Sequence, residues 1–165
     1  MTDSLAEALG PAPFRFKLSQ GTSVRGVAFS LCFKILASAL VLGTAYWFLH
    51  LWLDAKVAGG VVSIMSWFLA ALAMMLYTLW HILRSVTTLD SQHLGQTWVW
   101  HKKMELRELA YGKLIRVRGL EWLIAPRLYV RTLMGKFGVF YTADPMLLLE
   151  FERLVAELKS FRGFK

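Results

Sequence analysis

Cysteine is nearly absent from this chain: Cys32 stands alone among 165 residues. One thiol closes no intrachain disulfide and completes no cysteine metal centre, and it fits a reducing compartment. Acid is scarce too, with 11 Asp and Glu against 19 Lys and Arg, for a formal net charge of +8. The usual vocabulary of catalysis is missing. Gly135-Lys136-Phe137-Gly138 lacks the spacing and the Lys-Ser/Thr ending of a phosphate loop, and no Gly-x-Ser-x-Gly elbow occurs. His93 and His101 have no Cys or neighbouring His at ligand spacing. Glu105 and Glu108 stand three apart on a charged stretch, which is the ordinary look of a solvated face. The expectation is a chain that is not an enzyme and takes no cofactor or metal.

What the chain has in quantity is apolar sequence, 56% of its residues, with a mean hydropathy of +0.47. Most of it lies in two runs, 27–53 and 61–83, separated by the short segment 54–60. A helix of about 20 residues crosses a hydrocarbon core of roughly 30 Å, so the runs read as a membrane hairpin. Ala37-Ser38-Ala39 offers a small-residue pattern of the kind that a signal peptidase cuts. The run continues through Leu53, however, and 26 residues precede it, so a retained anchor is the reading adopted.

Lys and Arg set the orientation. Arg15, Lys17 and Arg25 precede the first run, and Arg84, Lys102, Lys103 and Arg107 follow the second. Only Lys56 lies in the turn around Ala58-Gly59-Gly60. Both termini are therefore expected in the cytoplasm. Trp47, Trp52 and Trp67 toward the turn and Tyr77 and Trp80 at the other end suit two interfacial belts. His50 and His81 fall near opposite faces and cannot pair around a haem.

Lys34 is the one charge inside the first run. Snorkelling to the headgroups is preferred over a buried counter-ion role because the site lies off the bilayer centre. Two small-xxx-small pairs, Ala39/Gly43 and Ser66/Ala70, are the candidate helix-packing positions. Neither run holds an acid or a proline, which argues against a self-sufficient transporter or proton channel.

The chain divides into an N-terminal arm at 1–26, the hairpin at 27–84 and a cytoplasmic domain at 85–165. In the arm, 4–9 has the makings of a helical turn, and Gly10-Pro11-Ala12-Pro13 prevents a longer one. Phe14, Arg15, Phe16 and Lys17 alternate aromatic and basic residues, as expected of a disordered arm drawn to anionic lipid.

Beyond Arg84 the pattern is β. Strands are expected at 85–89, 96–100, 113–118, 127–132 and 139–141, with a turn at Asp90-Ser91-Gln92-His93 and a basic corner at His101-Lys102-Lys103. The period then changes: Asp144-Pro145 supplies an N-cap and a first-turn proline, and Met146, Leu149, Leu154, Val155 and Leu158 recur near helical spacing.

The tail resembles the bacterial pleckstrin-homology-like (PH-like) domains that follow a pair of transmembrane helices. The resemblance rests on Thr88-Leu89-Asp90-Ser91, on 103–109 leading into a strand, on the hairpin Gly135–Gly138 and on the closing helix at 145–158. It implies an antiparallel sheet or partial barrel closed by a C-terminal amphipathic helix, used for protein or lipid contact. The fold class expected is thus a membrane α-helical hairpin plus a small α+β cytoplasmic domain.

Lys102, Lys103, Arg116, Arg118, Arg127 and Arg131 are the candidate lipid- or partner-binding residues. A juxtamembrane cluster of this kind attracts anionic lipid at about 1 kcal/mol per cation. The positive-inside bias would place the same charges for topology alone, and both readings stay open. The partners expected are anionic headgroups and a membrane protein or further copies of the chain. Nucleic acid is not expected, although Trp98, Trp100 and Tyr129 lie among the charges. Two functions follow: a bacterial inner-membrane anchor or adaptor, or an accessory subunit of a larger membrane enzyme or transporter, such as a polysaccharide synthase or export complex.

Overall fold

The structure, a computed structural model, describes residues 12–19, 21–57 and 62–163. The helical turn expected at 4–9, the Gly10-Pro11 break and the turn at Ala58-Gly59-Gly60 lie outside the described residues. A strand β1 (Ser23–Val27) leads into α1 (Leu31–Val57) and α2 (Val62–Arg84). There follow β2 (Val86–Asp90), β3 (His93–Thr97), β4 (His101–Glu105), a 3₁₀ turn (Leu106–Glu108), β5 (Leu109–Ile115), β6 (Arg127–Thr132), β7 (Phe137–Tyr141) and α3 (Pro145–Arg162).

The 27 residues of α1 and 23 of α2 give lengths of about 40 and 35 Å at 1.5 Å per residue. Both helices are long and apolar enough to cross a membrane, and only 6% and 0% of the residues in their most apolar stretches are buried. They pack through a half-buried stripe on α1 that includes Phe33, Ala37, Val41 and Phe48, the last ring lying 6.1 Å from Phe68. Ala39, Gly43, Ser66 and Ala70 are exposed, and nothing lies within 4 Å of where a Cβ on Gly43 would be. Ala39 and Gly43 therefore lie away from the contact between the described parts of these helices. At 100° per residue, Ala39 and Gly43 point about 200° away from the Ala37/Val41 stripe. Lys34 does not reach freely outward either: its Nζ donates to the Leu83 carbonyl at 3.1 Å. That carbonyl belongs to the last turn of α2, the negative end of the helix dipole.

The strands flanking the hairpin pair with each other. β1 and β2 run antiparallel in register from Ser23↔Asp90 to Val27↔Val86, and the Ala28 N–H donates to the Ser85 carbonyl at 3.2 Å. Both ends of the helical hairpin consequently emerge on the same side, and the hairpin is an insertion between the first two strands of the sheet domain. The described part of the arm is likewise not separate from the tail. Phe14 and Phe16 are 3% and 2% exposed in the hydrophobic core, and the Phe14 N–H donates to the Arg107 carbonyl. Leaving two phenylalanines in water would forgo about 1.5–3 kcal/mol each, and the edge of β2 would stay unpaired.

The seven strands among the described residues are antiparallel, in two separate sheets of order β1-β2-β3-β4 and β5-β6-β7, which do not close into one barrel. Leu89 and Leu94 from the first sheet and Leu128, Val130 and Phe140 from the second meet Leu147, Phe151, Leu154 and Leu158 of α3. The helix starts where the sequence said: Asp144 accepts from the Met146 and Leu147 N–H groups at 2.9 and 3.3 Å, with Pro145 in the first turn. Gly163, at φ +69°, ends it. Three local expectations shift. The strand expected at 113–118 is β5, Leu109–Ile115, so Arg116 and Arg118 lie past its end rather than on one strand face. The strand expected at 96–100 ends at Thr97, so Trp98–Trp100 form a bend rather than one aromatic strand face. The basic corner at 101–103 is instead the edge strand β4.

Candidate functional site

Strand direction defines two ends of the sheet domain. β1 runs into α1 and β2 leaves α2, so Val27 and Val86 mark the end next to the hairpin. Pairing carries that end through Thr97 and His101. The second sheet is tied to the same end: Ala143 N–H donates to the Val27 carbonyl, Thr142 N–H to Pro126 and Tyr141 N–H to the Gln96 side chain. The bend at 98–100 and the β5–β6 connection therefore lie beside the helices.

That connection is ordered. Gly119 takes φ +85°, a region that a side chain disfavours, and the turn following it carries Leu123 N–H and Ile124 N–H on the Leu120 carbonyl at 3.0 and 2.7 Å. The Trp122 indole N–H donates to the Gly119 carbonyl at 3.2 Å. Ser30, at the entrance to α1, donates its hydroxyl to the Leu123 carbonyl at 2.9 Å and so pins the loop to the hairpin. The tip nevertheless leaves Leu120, Trp122 and Ile124 exposed, and Trp100 is exposed on the neighbouring bend. Arg116 and Arg118 flank the tip and Arg127 opens β6. The end beside the helices is thus a rim of exposed tryptophan and aliphatic side chains mixed with arginine, the composition of a membrane–water interface.

The six cations singled out in the sequence fall into different places. Arg116, Arg118 and Arg127 belong to the rim, and Arg116 also pairs with Glu152 of α3. Arg131 is four residues further along β6, about 13 Å from Arg127 at strand spacing. Lys102 lies opposite the buried Gln96, with its Nζ 5.7 Å from the Trp98 ring centroid, whereas Lys103 lies opposite Gly95 on the other face.

Two cations outside those six, Arg25 and Lys136, join them. Arg25, Thr88, Gly95 and Lys103 form one cross-strand row over the first sheet, with His93 and His101 beside it around a shallow depression of about 520 Å³. Lys136 faces Lys102 and Lys103 across a groove of about 800 Å³ between the edge strands β4 and β7. Exposed Met134 and Phe137 line the same groove. Strand register brings Arg25 into line with Lys103, and the groove between the two sheet edges brings Lys136 to Lys102 and Lys103.

A further pocket of about 260 Å³ sits where domain and hairpin meet, walled by Phe29, Phe33, Trp98 and Tyr141. Phe29 is its hub, with ring centroids 5.4 Å from Phe33, 5.6 Å from Tyr141 and 6.5 Å from Trp98. Among the described residues no group of three or more His, Cys, Asp or Glu is arranged to hold a metal. Comparison with protein-family models, with curated proteins and with solved structures finds no match.

Proposed function

We propose that this chain is a non-enzymatic adaptor of the bacterial inner membrane, anchored by α1 and α2 with both termini in the cytoplasm. Its sheet domain is PH-like and rests on anionic headgroups through its rim, leaving the far side open to a partner. The single observation that carries the reading is the pairing of β1 with β2 across the hairpin. It ties the domain to both helices at once, so the rim of Trp100, Trp122, Arg118 and Arg127 has a fixed height at the bilayer surface. Four strands, then three, then a closing helix agree with the PH-like reading. Each rim cation near an anionic surface contributes about 1 kcal/mol.

The accessory-subunit reading has its own support in the groove between β4 and β7. Two sheet edges, three lysines and exposed Met134 and Phe137 suit an extended, acidic segment of a larger membrane protein.

Hydrogen exchange of the full chain in nanodiscs tests the adaptor reading. Segment 116–126 is expected to be better protected in discs containing phosphatidylglycerol than in phosphatidylcholine discs. Arg118→Glu with Arg127→Glu should remove the difference, and Arg131→Glu, away from the rim, should keep it. Equal protection in both lipids would sink the headgroup role.

A further inference from the structure

Four strands edge the two sheets, and three of those edges are protected. β5 lies against α3, where the Leu109 carbonyl accepts from the Arg162 guanidinium at 3.1 Å. β1 meets the start of α3 so closely that a Cβ on Gly26 would lie 2.5 Å from the Asp144 Cβ. β4 carries Lys102 and Lys103, and charge of this kind keeps an edge from pairing at random. β7 has none of these devices. Phe137-Gly138-Val139-Phe140-Tyr141 holds no charge and no proline, pairs with β6 without a register shift, and leaves Phe137 exposed.

The backbone of β7 is also turned toward the groove. In an antiparallel pair, residues alternate between those that exchange bonds with the partner strand and those that face away. Thr132 N–H donates to Lys136 and Thr142 N–H to Pro126, so Gly138 and Phe140 are the residues bonded to β6. Phe137, Val139 and Tyr141 therefore turn their N–H and C=O groups to the free edge. At Tyr141 the first sheet takes both: its N–H donates to the Gln96 side chain, and its carbonyl accepts from the Thr87 hydroxyl. Phe137 and Val139 have no such partner among the described residues, and both line the groove of about 800 Å³. Lys102, Lys103 and Lys136 line it too, and among the described residues no acid does.

We infer that β7 receives an acidic β-strand from a partner protein. The strand adds to the free edge at Phe137 and Val139, and its carboxylates meet Lys102, Lys103 and Lys136. Lipid does not suit the outer part of this groove. Met134 and Phe137 lie at the end of β6 away from the hairpin, about 17 Å along the strand, against a Debye length of about 8 Å. A second copy of the chain does not suit it either, because no described strand carries more than one acid.

This inference rests on the reading of the groove as a partner site, and the test separates the two. The full chain in phosphatidylcholine nanodiscs is titrated with a labelled, end-blocked octapeptide of alternating glutamate and valine. Fluorescence anisotropy reads binding, and hydrogen exchange reads the Val139 amide. The peptide should bind and slow that exchange. Its fully N-methylated form keeps every carboxylate and loses every backbone donor, and should not bind; nor should a lysine–valine peptide. Lys102→Glu with Lys136→Glu should lower affinity at least about tenfold, the scale of one charge-assisted hydrogen bond. Val139→Pro removes a donor that β6 does not use, and should weaken binding roughly two- to tenfold. No binding of the glutamate–valine peptide overturns the site, as does equal affinity for its N-methylated form. So does displacement of the peptide by phosphatidylglycerol in the discs, which assigns the groove to lipid. Copurification from native membranes tells the failures apart. A larger membrane protein that stays fully bound to Val139→Pro overturns this site and leaves the accessory-subunit reading standing. Peptide binding without any such protein supports the site and removes that reading.

Discussion

Leu36, Leu40 and Leu42 stand more than half exposed along α1, whereas Leu89, Leu94 and Leu128 in the sheet domain show no surface at all. The same side chain is used in opposite senses on the two sides of Ser30 and Ser85. In the domain, burial against α3 replaces contact with water, at about 25 cal/mol per Å² of apolar surface. In the hairpin the described residues leave most of those side chains exposed, and on the proposed reading a bilayer covers them. The boundary is sharp because hydrogen bonds fix it: Ala28 to Ser85, Ser30 to Leu123 and Lys34 to Leu83 all cross from one element to another within two helical turns.

The most forceful way to break the comparison is to truncate a large apolar side chain in each region. Phe151→Ala, at a fully buried position, should destabilise the domain by about 3–5 kcal/mol, read as increased protease sensitivity of the tail on heating. Leu42→Ala in α1, measured alike in detergent, should stay within about 0.5 kcal/mol. Equal losses at the two sites would mean that the hairpin is packed like a soluble core.

Phe16→Ala asks whether the N-terminal arm belongs to the domain or to the lipid. A buried phenylalanine predicts a loss of about 3 kcal/mol in the stability of the distant α3. A smaller effect is expected from Gly26→Ala at the meeting of β1 and α3. An added Cβ there would lie 2.5 Å from the Asp144 Cβ, an overpacking worth about 1–3 kcal/mol. Asp144→Ala should remove the helix cap for about 1 kcal/mol, and Asp144→Asn should restore most of it, both read from the thermal midpoint.

Much of this plan was legible from short-range patterns. The apolar runs at 27–53 and 61–83 became Leu31–Val57 and Val62–Arg84, and the strand at 127–132 and the helix start at Asp144-Pro145 stand as read. These signals are local: a run length, an alternation, a cap. β1 was not legible, because its partner β2 lies across the whole hairpin and its own sequence, Ser-Val-Arg-Gly-Val, looks like an arm. β4 hid behind three consecutive basic residues with Met104 as its one apolar member. The helix contact was misread because small residues mark a close approach only if they face the partner, and Ala39 and Gly43 face away. Of the candidate site, the cations of the β5–β6 connection were visible. Their separation from Arg131, and the company of Arg25 and Lys136, needed the register and the groove between the sheet edges.

On the proposed reading, α1 and α2 cross a membrane and return, with the sheet domain on the cytoplasmic side. Thiol labelling of intact cells with a membrane-impermeant reagent tests it directly, in a Cys32→Ser background. Gly59→Cys should react from outside, and Ser91→Cys and Glu121→Cys only after permeabilisation. Labelling of Ser91→Cys or Glu121→Cys in intact cells, or of Gly59→Cys only after permeabilisation, would contradict the account.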